Sequence, residues 1–206
     1  MNQIIGQSIT PAVIDSGMSY ERYRSLIDGL LEEGKTTGTN HSEAMINYTK
    51  MNVHRMNRLD KQVRLSDSLK EALQDVDEDW IWLVLTEAWC GDAAQNIPVL
   101  VRMAEQNDHV NLRLILRDEH PDIMDEYLTN GGRSIPKLVC LEAETLEELG
   151  TWGPRPGEAQ QKAMQWKDDP EISTKEWAER LHKWYAGNRT EDIQEEFEEL
   201  IEQWSE

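Results

Sequence analysis

Cysteine is scarce in this sequence, which contains only Cys90 and Cys140 among its 206 residues. Two cysteines cannot form the dense disulfide framework of small secreted domains, and neither belongs to a Cys-x-x-Cys pair of the kind that binds zinc. The sequence also has no phosphate-binding glycine loop, and neither His41 nor His54 has a second ligand at metal spacing. We therefore expect no metal site and no bound cofactor.

Positive charge is also scarce: 21 lysine and arginine residues stand against 40 aspartate and glutamate residues, which gives a formal net charge of −19. Nucleic acids and anionic membranes attract basic surfaces, so we expect neither as a partner. No apolar run approaches the ~20 residues of a membrane-spanning helix, and residues 1–17 lack the basic start and apolar core of a signal peptide. These absences favour a cytoplasmic location.

A short apolar run, Ile81–Thr86, has the length and composition of a buried strand. After a turn, apolar residues recur at spacings of three and four, which predicts an amphipathic helix; they are Ile97, Leu100, Val101 and Ala104. Cys90 thus lies where a strand gives way to a helix. The first turn of a helix offers unpaired N–H groups and a partial positive charge, and both stabilise a thiolate.

Two motifs carry a resemblance to a known family. The segment Trp89-Cys90-Gly91-Asp92-Ala93 follows the predicted strand, and Ser134-Ile135-Pro136 precedes another apolar run about 45 residues later. This order and spacing resemble thioredoxin-fold proteins, in which a Trp-Cys-Gly segment opens the active-site helix and a cis-proline loop faces the sulfur. The flanking sequence is similar to that of a bacterial thioredoxin-family subgroup with a Cys-Gly-Asp-Ala motif and extra helices.

The resemblance implies an α/β protein with a thioredoxin-like fold, in which helices flank a central mixed sheet and further helices are added at both ends. We expect one thioredoxin-like domain over residues 1–206. Its parts are an N-terminal helical extension over 1–65, the core over 66–153 and C-terminal helices over 154–206. The order strand, helix, strand, helix and then two neighbouring strands agrees with such a sheet.

The departures from the family pattern restrict the chemistry. The position of the second cysteine in dithiol thioredoxins is Ala93, so a dithiol cycle through this motif is excluded. The position of the buried carboxylate, six residues before the nucleophile, is Val84. Asp92 stands where the family usually has proline; its charge favours the helix N-terminus, yet it also competes with a thiolate and raises the pKa of the cysteine.

Two functions remain open. The first is a monothiol thiol–disulfide oxidoreductase with Cys90 as the catalytic nucleophile, acting on a protein or on a low-molecular-weight thiol or disulfide, as a monomer or a homodimer. The second is a redox-inactive protein-binding module that kept the fold. The resemblance suggests a substrate-binding set around Cys90, namely Trp89, Gly91, Asp92, Arg133, Ile135 and Pro136. In it, Ile135 and Pro136 present backbone groups to an extended substrate, Arg133 attracts a carboxylate and Trp89 forms an apolar wall.

Other expectations concern the periphery. Residues 1–16 show no periodicity and are predicted to form an arm over the surface. A helix that starts at Pro121 is predicted to stop at Asn130-Gly131-Gly132. The loop 150–156 is interpreted as a plain linker; the alternative is that it folds back, so that Trp152 and Arg155 reach a bound substrate. The basic residues of the helix predicted over 42–59 are interpreted as a solvated face. Cys140 is expected to be buried and apolar in character, too far along its strand to bridge to Cys90.

Overall fold

The computed structural model describes residues 8–205. In this part of the chain, nine helices and four strands follow one another in the order α1 (Pro11–Ser16), α2 (Tyr20–Glu32), α3 (Glu43–Gln62), α4 (Asp67–Gln74), β1 (Trp80–Thr86), α5 (Gly91–Ala104), β2 (Val110–Leu116), α6 (Pro121–Glu126), β3 (Lys137–Glu142), β4 (Glu148–Trp152), α7 (Gly157–Asp168), α8 (Thr174–Asn188) and α9 (Glu191–Trp204). None of these helices is long and apolar enough to cross a membrane.

The four strands form one mixed sheet in the order β2-β1-β3-β4. Strand β1 runs parallel to β2 and antiparallel to β3, and β3 pairs with β4 in antiparallel fashion. All seven residues of β1 are buried, because strands and helices cover it on every side. The predicted α/β fold, a mixed sheet flanked by helices, is confirmed.

The side chains of β1 alternate between two apolar clusters, one on each face of the sheet. Trp80, Trp82 and Val84 join the larger cluster, which α2 to α5 and α9 cover. Ile81, Leu83 and Leu85 join the smaller one, which α1 and α6 cover. This period of two is the pleat of a strand buried on both faces.

The last helix packs on the sheet through its apolar stripe. Phe197 lies 5.2 Å from Trp82 and 5.4 Å from Trp152 between ring centroids, and Trp204 meets Trp80 edge-on at 6.2 Å. The buried members of the stripe also include Ile193 and Ile201. The packing of this helix against the core, which the sequence predicts, is therefore confirmed; of its glutamates, Glu196 accepts a hydrogen bond from Trp152 and Glu198 accepts one from Ser66.

Two features of the periphery differ from the sequence-based expectation, and a third adds to it. Residues 11–16 form α1, with the side chain of Thr10 accepting the N–H of Val13, whereas an irregular arm was expected; residues 1–7 of that arm lie outside the described residues. Helix α6 ends at Glu126, before the glycines. Helices α7 and α8 pack on each other through a small core of their own, centred on Ala159, Ala163 and Leu181.

Candidate functional site

Cys90 occupies the N-cap position of α5, directly after the turn that follows β1. Its thiol donates a hydrogen bond of 3.2 Å to the carbonyl oxygen of Ile135, and the peptide bond between Ile135 and Pro136 is cis. The side chain of Cys90 forms no capping hydrogen bond, although the backbone N–H groups of Ala93 and Asp92 act to lower its pKa. Two segments 45 residues apart in the sequence thus meet at one partly exposed thiol.

The turn before Cys90 is held by the N-terminal extension. The hydroxyl of Thr37 accepts the N–H of Ala88 at 2.8 Å, and the amide of Asn52 donates to the carbonyl oxygen of Ala88 at 2.8 Å. Thr37 and Asn52 are both buried. The loop after α2 and the middle of α3 therefore pack against the site and fix the backbone that presents the cysteine.

Asp92 is the centre of a buried polar network beside the thiol. Its carboxylate accepts a hydrogen bond of 2.8 Å from the hydroxyl of Tyr185 and forms an ion pair of 2.5 Å with Arg155. Arg155 also donates to the side chain of Gln160. The loop after β4 is thus no plain linker: it folds back, and its arginine reaches the start of α5.

This network and its surroundings disfavour the thiolate form of Cys90. Desolvation by burial is the largest cause, and the negative charge of Asp92 is the second; together they raise the pKa of Cys90 to about 12. The N–H groups of Ala93 and Asp92 and the charge of Arg155 act in the opposite direction but do not prevail. The hydrogen bond to Ile135 supplies an acceptor for the retained proton.

A buried carboxylate does lie near the site, although the position that the family uses holds Val84. Glu87 has no exposed surface. One of its oxygens accepts the N–H of Asp118 at 2.9 Å, and Oε2 has no hydrogen-bond partner within the described chain. Burial raises the pKa of Glu87 above its usual range. The sequence offers no period or motif that singles this residue out.

Comparison with known families agrees with the geometry. A family model described as Thioredoxin matches residues 38–175, the stretch that contains the cysteine, the proline loop and all four strands. The chain belongs to this thioredoxin family. No curated protein matches the sequence significantly.

Solved structures similar to this thioredoxin-family protein share its fold. A protein of unknown function from Pseudomonas aeruginosa aligns with a TM-score of 0.61 at 19% identity, over 94% of this chain and 98% of that one. An HIV epitope-scaffold aligns with a TM-score of 0.56 at 18% identity, over 85% of this chain and 96% of that one. The first alignment spans nearly the whole chain, so the added helices are part of the shared architecture.

The structure brings some predicted site residues to the thiol and not others. Gly91, Asp92, Ile135 and Pro136 adjoin it. The ring of Trp89 packs in the smaller apolar cluster, under the guanidinium of Arg117 at 4.8 Å. Arg133 points elsewhere, because its Nε and Nη2 atoms donate to the two carboxylate oxygens of Asp125 at 2.7 and 2.6 Å. A role for Arg133 in attracting a substrate carboxylate would require this ion pair to open.

The loop 132–136, which ends in the cis-proline, is called the proline loop. A cleft of about 420 Å³ lies between this loop and helices α7 and α8, and it is called the proline-loop cleft. Its walls include Gly132, Ser134, Arg155, Trp166 and Trp177. Two indoles give it apolar surface, and its basic side chains are Lys167 and Arg155, the latter paired with Asp92. The Nε atom of Arg155 is buried there and has no partner among residues 8–205. The cleft adjoins both the proline loop and the residue that pairs with Asp92.

The C-terminal helices also supply His182, which packs on the first residue of α5. A Cβ placed at Gly91 would lie 2.9 Å from the imidazole, so glycine is what lets α8 approach this closely. Burial and the charge of Arg55 lower the pKa of His182 to about 4. His182 is therefore neutral at neutral pH, and its Nδ1 has no partner in the described part of the chain.

Acidification should destabilise the fold through His182. The unfolded chain binds a proton on this histidine near pH 6.5, whereas the folded chain does so only near 4, so the free energy of unfolding should fall as the pH drops through that window. Urea unfolding at a series of pH values should show a shallower acid slope for His182→Gln than for the unchanged protein. His54→Gln, at an exposed position of α3, is the control, and an equal change in both variants would contradict the assignment.

Sequence reasoning missed the residues that reach the site from far along the chain. For Arg155 the sequence offers a folded-back loop only as the less favoured alternative to a linker, while Tyr185 and His182 belong to a helix whose periodicity indicates only burial. No spacing connects these positions to Cys90. Within residues 8–205, no three histidine, cysteine or acidic side chains are grouped so that they could hold a metal ion.

Proposed function

We propose that this thioredoxin-family protein carries out monothiol thiol–disulfide exchange at Cys90. The Cys90 thiol loses its proton to solvent, and the thiolate attacks one sulfur of a substrate disulfide. A bond forms between Sγ and that sulfur, the substrate's S–S bond breaks, and the other sulfur leaves as a thiolate. An external thiol then attacks the mixed disulfide and restores Cys90, because Ala93 supplies no second sulfur.

One observation carries this proposal: the Sγ atom of Cys90 lies at a helix start, 3.2 Å from the carbonyl oxygen of the residue before the cis-proline. A substrate strand added along Ser134 and Ile135 would place its disulfide beside this sulfur. The proline-loop cleft would receive the adjoining apolar side chain of the substrate. The partners are then a protein disulfide or a low-molecular-weight disulfide, with an external thiol as reductant.

The proposal includes a cytoplasmic location, since a monothiol cycle needs a pool of reduced thiol and the cytosol keeps such a pool. It also includes membership of the bacterial subgroup with a Cys-Gly-Asp-Ala motif, on the basis of residues 90–93 and the added helices. Monomer and homodimer are both compatible with the mechanism, because every group named in it comes from one chain.

The test compares Cys90→Ser with Cys140→Ala. Each protein is exposed to oxidised glutathione, its intact mass is measured, and reduced glutathione is then added. We expect Cys140→Ala to gain one glutathione and to release it, because Cys140 is buried in β3 and free of any disulfide, whereas Cys90→Ser should gain none. An adduct that forms equally in both variants, or only after unfolding, would refute the monothiol assignment.

A second candidate function is favoured by the raised pKa of Cys90. With a pKa of about 12, few molecules carry a thiolate at neutral pH, so the protein would instead be a redox-inactive binding module. The proline-loop cleft and the acidic surface are then the places for a partner protein. The rate of Cys90 alkylation as a function of pH separates the two candidates: a midpoint clearly below ~8.5 favours exchange chemistry, and one at or above that value favours the module.

A further inference from the structure

A second cavity, distinct from the proline-loop cleft, lies beside α5, the helix that begins after Cys90. It has a volume of about 240 Å³ and is enclosed by α3, α5 and the turn between α8 and α9. It shares no lining residue with the proline-loop cleft. Its polar lining consists chiefly of arginine and amide side chains, namely Arg58, Gln62, Gln95, Asn96, Asn188 and Arg189.

Gln95 is the clearest sign of a ligand at this cavity. It is only 5% exposed, and its side chain makes no hydrogen bond with any residue from 8 to 205. Its amide atoms are not among the fully buried polar atoms that lack a partner within the described chain, so they remain accessible at the cavity. An amide that lines a cavity and has no partner in the protein is therefore placed to bind a group that enters the cavity.

The charges at the rim indicate the sign of that group. Arg58 and Arg189 are exposed, and neither has a carboxylate within ion-pair distance in the described structure, although the chain carries 40 acidic residues. The positive charge of Arg58 is strong enough at Arg55 to help lower the pKa of that neighbour. A guanidinium presents its N–H donors as a fork that fits the oxygens of a carboxylate or a phosphate. Two such groups without an acidic partner at one opening therefore favour an anion.

Hydrogen bonds hold Asn96, one of the residues that line the cavity. The Nδ2 atom of Asn96 donates to the carbonyl oxygen of Asp92 at 2.9 Å and to the hydroxyl of Tyr185 at 3.1 Å. Asn96 is almost fully buried. Apolar contact comes from Leu59, Val63 and Ile193. From the sequence, the basic residues of α3 are interpreted as a solvated face. One of them, Arg58, lines this cavity.

We propose that this cavity binds a small organic anion, with its carboxylate or phosphoryl group between Arg58 and Arg189 and a polar group on Gln95. The volume admits a compact metabolite and excludes a folded partner or a polymer. Both anion types present the same chemistry to a guanidinium, a planar or tetrahedral set of oxygens with negative charge. Cys90 is not among the residues that line this cavity, although Asn96 and Tyr185 connect the cavity to Asp92.

To test this, the whole protein is titrated with succinate and, in a separate experiment, with inorganic phosphate. NMR follows the side-chain amide resonances of Gln95 in each titration. We expect at least one anion to shift these resonances in a saturable way, and the neutral diamide of succinic acid to leave them unchanged. Arg58→Gln and Arg189→Gln should each weaken binding about tenfold or more, as loss of one charged hydrogen bond implies. A response to succinate alone identifies a carboxylate ligand, and a response to phosphate alone a phosphoryl ligand.

Two controls make the result specific. Arg22→Gln removes an exposed arginine on α2, away from the cavity, and should leave binding unchanged. Cys90→Ser should also bind as the unchanged protein does, so loss of exchange activity and loss of anion binding are separate outcomes. No shift of the Gln95 resonances with either anion, or equal weakening by Arg22→Gln and Arg58→Gln, would overturn the proposal.

Discussion

Replacing Asp92 with asparagine should make Cys90 markedly more reactive. The carboxylate of Asp92 is the second largest cause of the raised thiol pKa, and its removal also frees Arg155 to act on the sulfur as an uncompensated positive charge. We expect the pKa of Cys90 to fall by about one to two units. Each unit by which the pKa falls multiplies the thiolate fraction at neutral pH tenfold. The thiolate itself becomes about threefold less reactive per unit, because nucleophilicity falls with pKa. The rate of alkylation at neutral pH should therefore rise about three- to tenfold.

The measurement is the rate of iodoacetamide alkylation over a range of pH in a Cys140→Ala background. Arg155→Met should change the rate in the opposite direction, since it removes the charge that favours the thiolate. Asp125→Asn is the matched control, because Asp125 is an exposed aspartate that also pairs with an arginine, Arg133, away from the sulfur. Rates for Asp92→Asn no higher than for Asp125→Asn would show that burial alone holds the proton.

The part of the fold that sequence predicts well is the part with local causes. Trp82 and Leu83 face opposite sides of a strand because neighbours in a strand always do, so an apolar run flanked by turns indicates a doubly buried strand. The position of Cys90 at a helix start can be predicted, because the spacing of apolar residues changes from that of a strand to that of a helix within a few residues. The pairing of Cys90 with Ile135 is non-local, and it could be anticipated only because both motifs resemble one family.

The rest of the site could not be predicted, because its members meet through tertiary packing alone. Arg155 is separated from Asp92 by 63 positions and Tyr185 by 93, and the direction in which the loop after β4 turns decides whether they meet. Helix α8 reaches Gly91 only because α7 and α8 share a small core that orients them as a pair. A helical period reports that one face of a helix is buried, but it does not report what that face is buried against.

Replacing Gly153 with alanine should be among the most destabilising single changes in the loop that carries Arg155. Gly153 has a φ of +113°, which side chains rarely tolerate, and a Cβ there would lie 2.3 Å from the carbonyl oxygen of Pro136. That oxygen belongs to the backbone, so it cannot move aside as the end of a side chain would. We expect the free energy of unfolding in urea to fall by at least about 3 kcal/mol, the sum of backbone strain and steric overlap.

Gly131→Ala separates the two causes. Gly131 also has a positive φ, +74°, but a Cβ there would meet no atom within 4 Å, so this variant should lose only the strain of about 1–2 kcal/mol. The excess loss in Gly153→Ala then measures how tightly the loop after β4 crosses the proline loop. Because the same crossing brings Arg155 to Asp92, Gly153→Ala should also alter the alkylation rate of Cys90, whereas Gly131→Ala should not. Equal losses of stability in the two variants would mean that the proline loop yields to the added methyl group, and that the position of Arg155 depends on its ion pair with Asp92 instead.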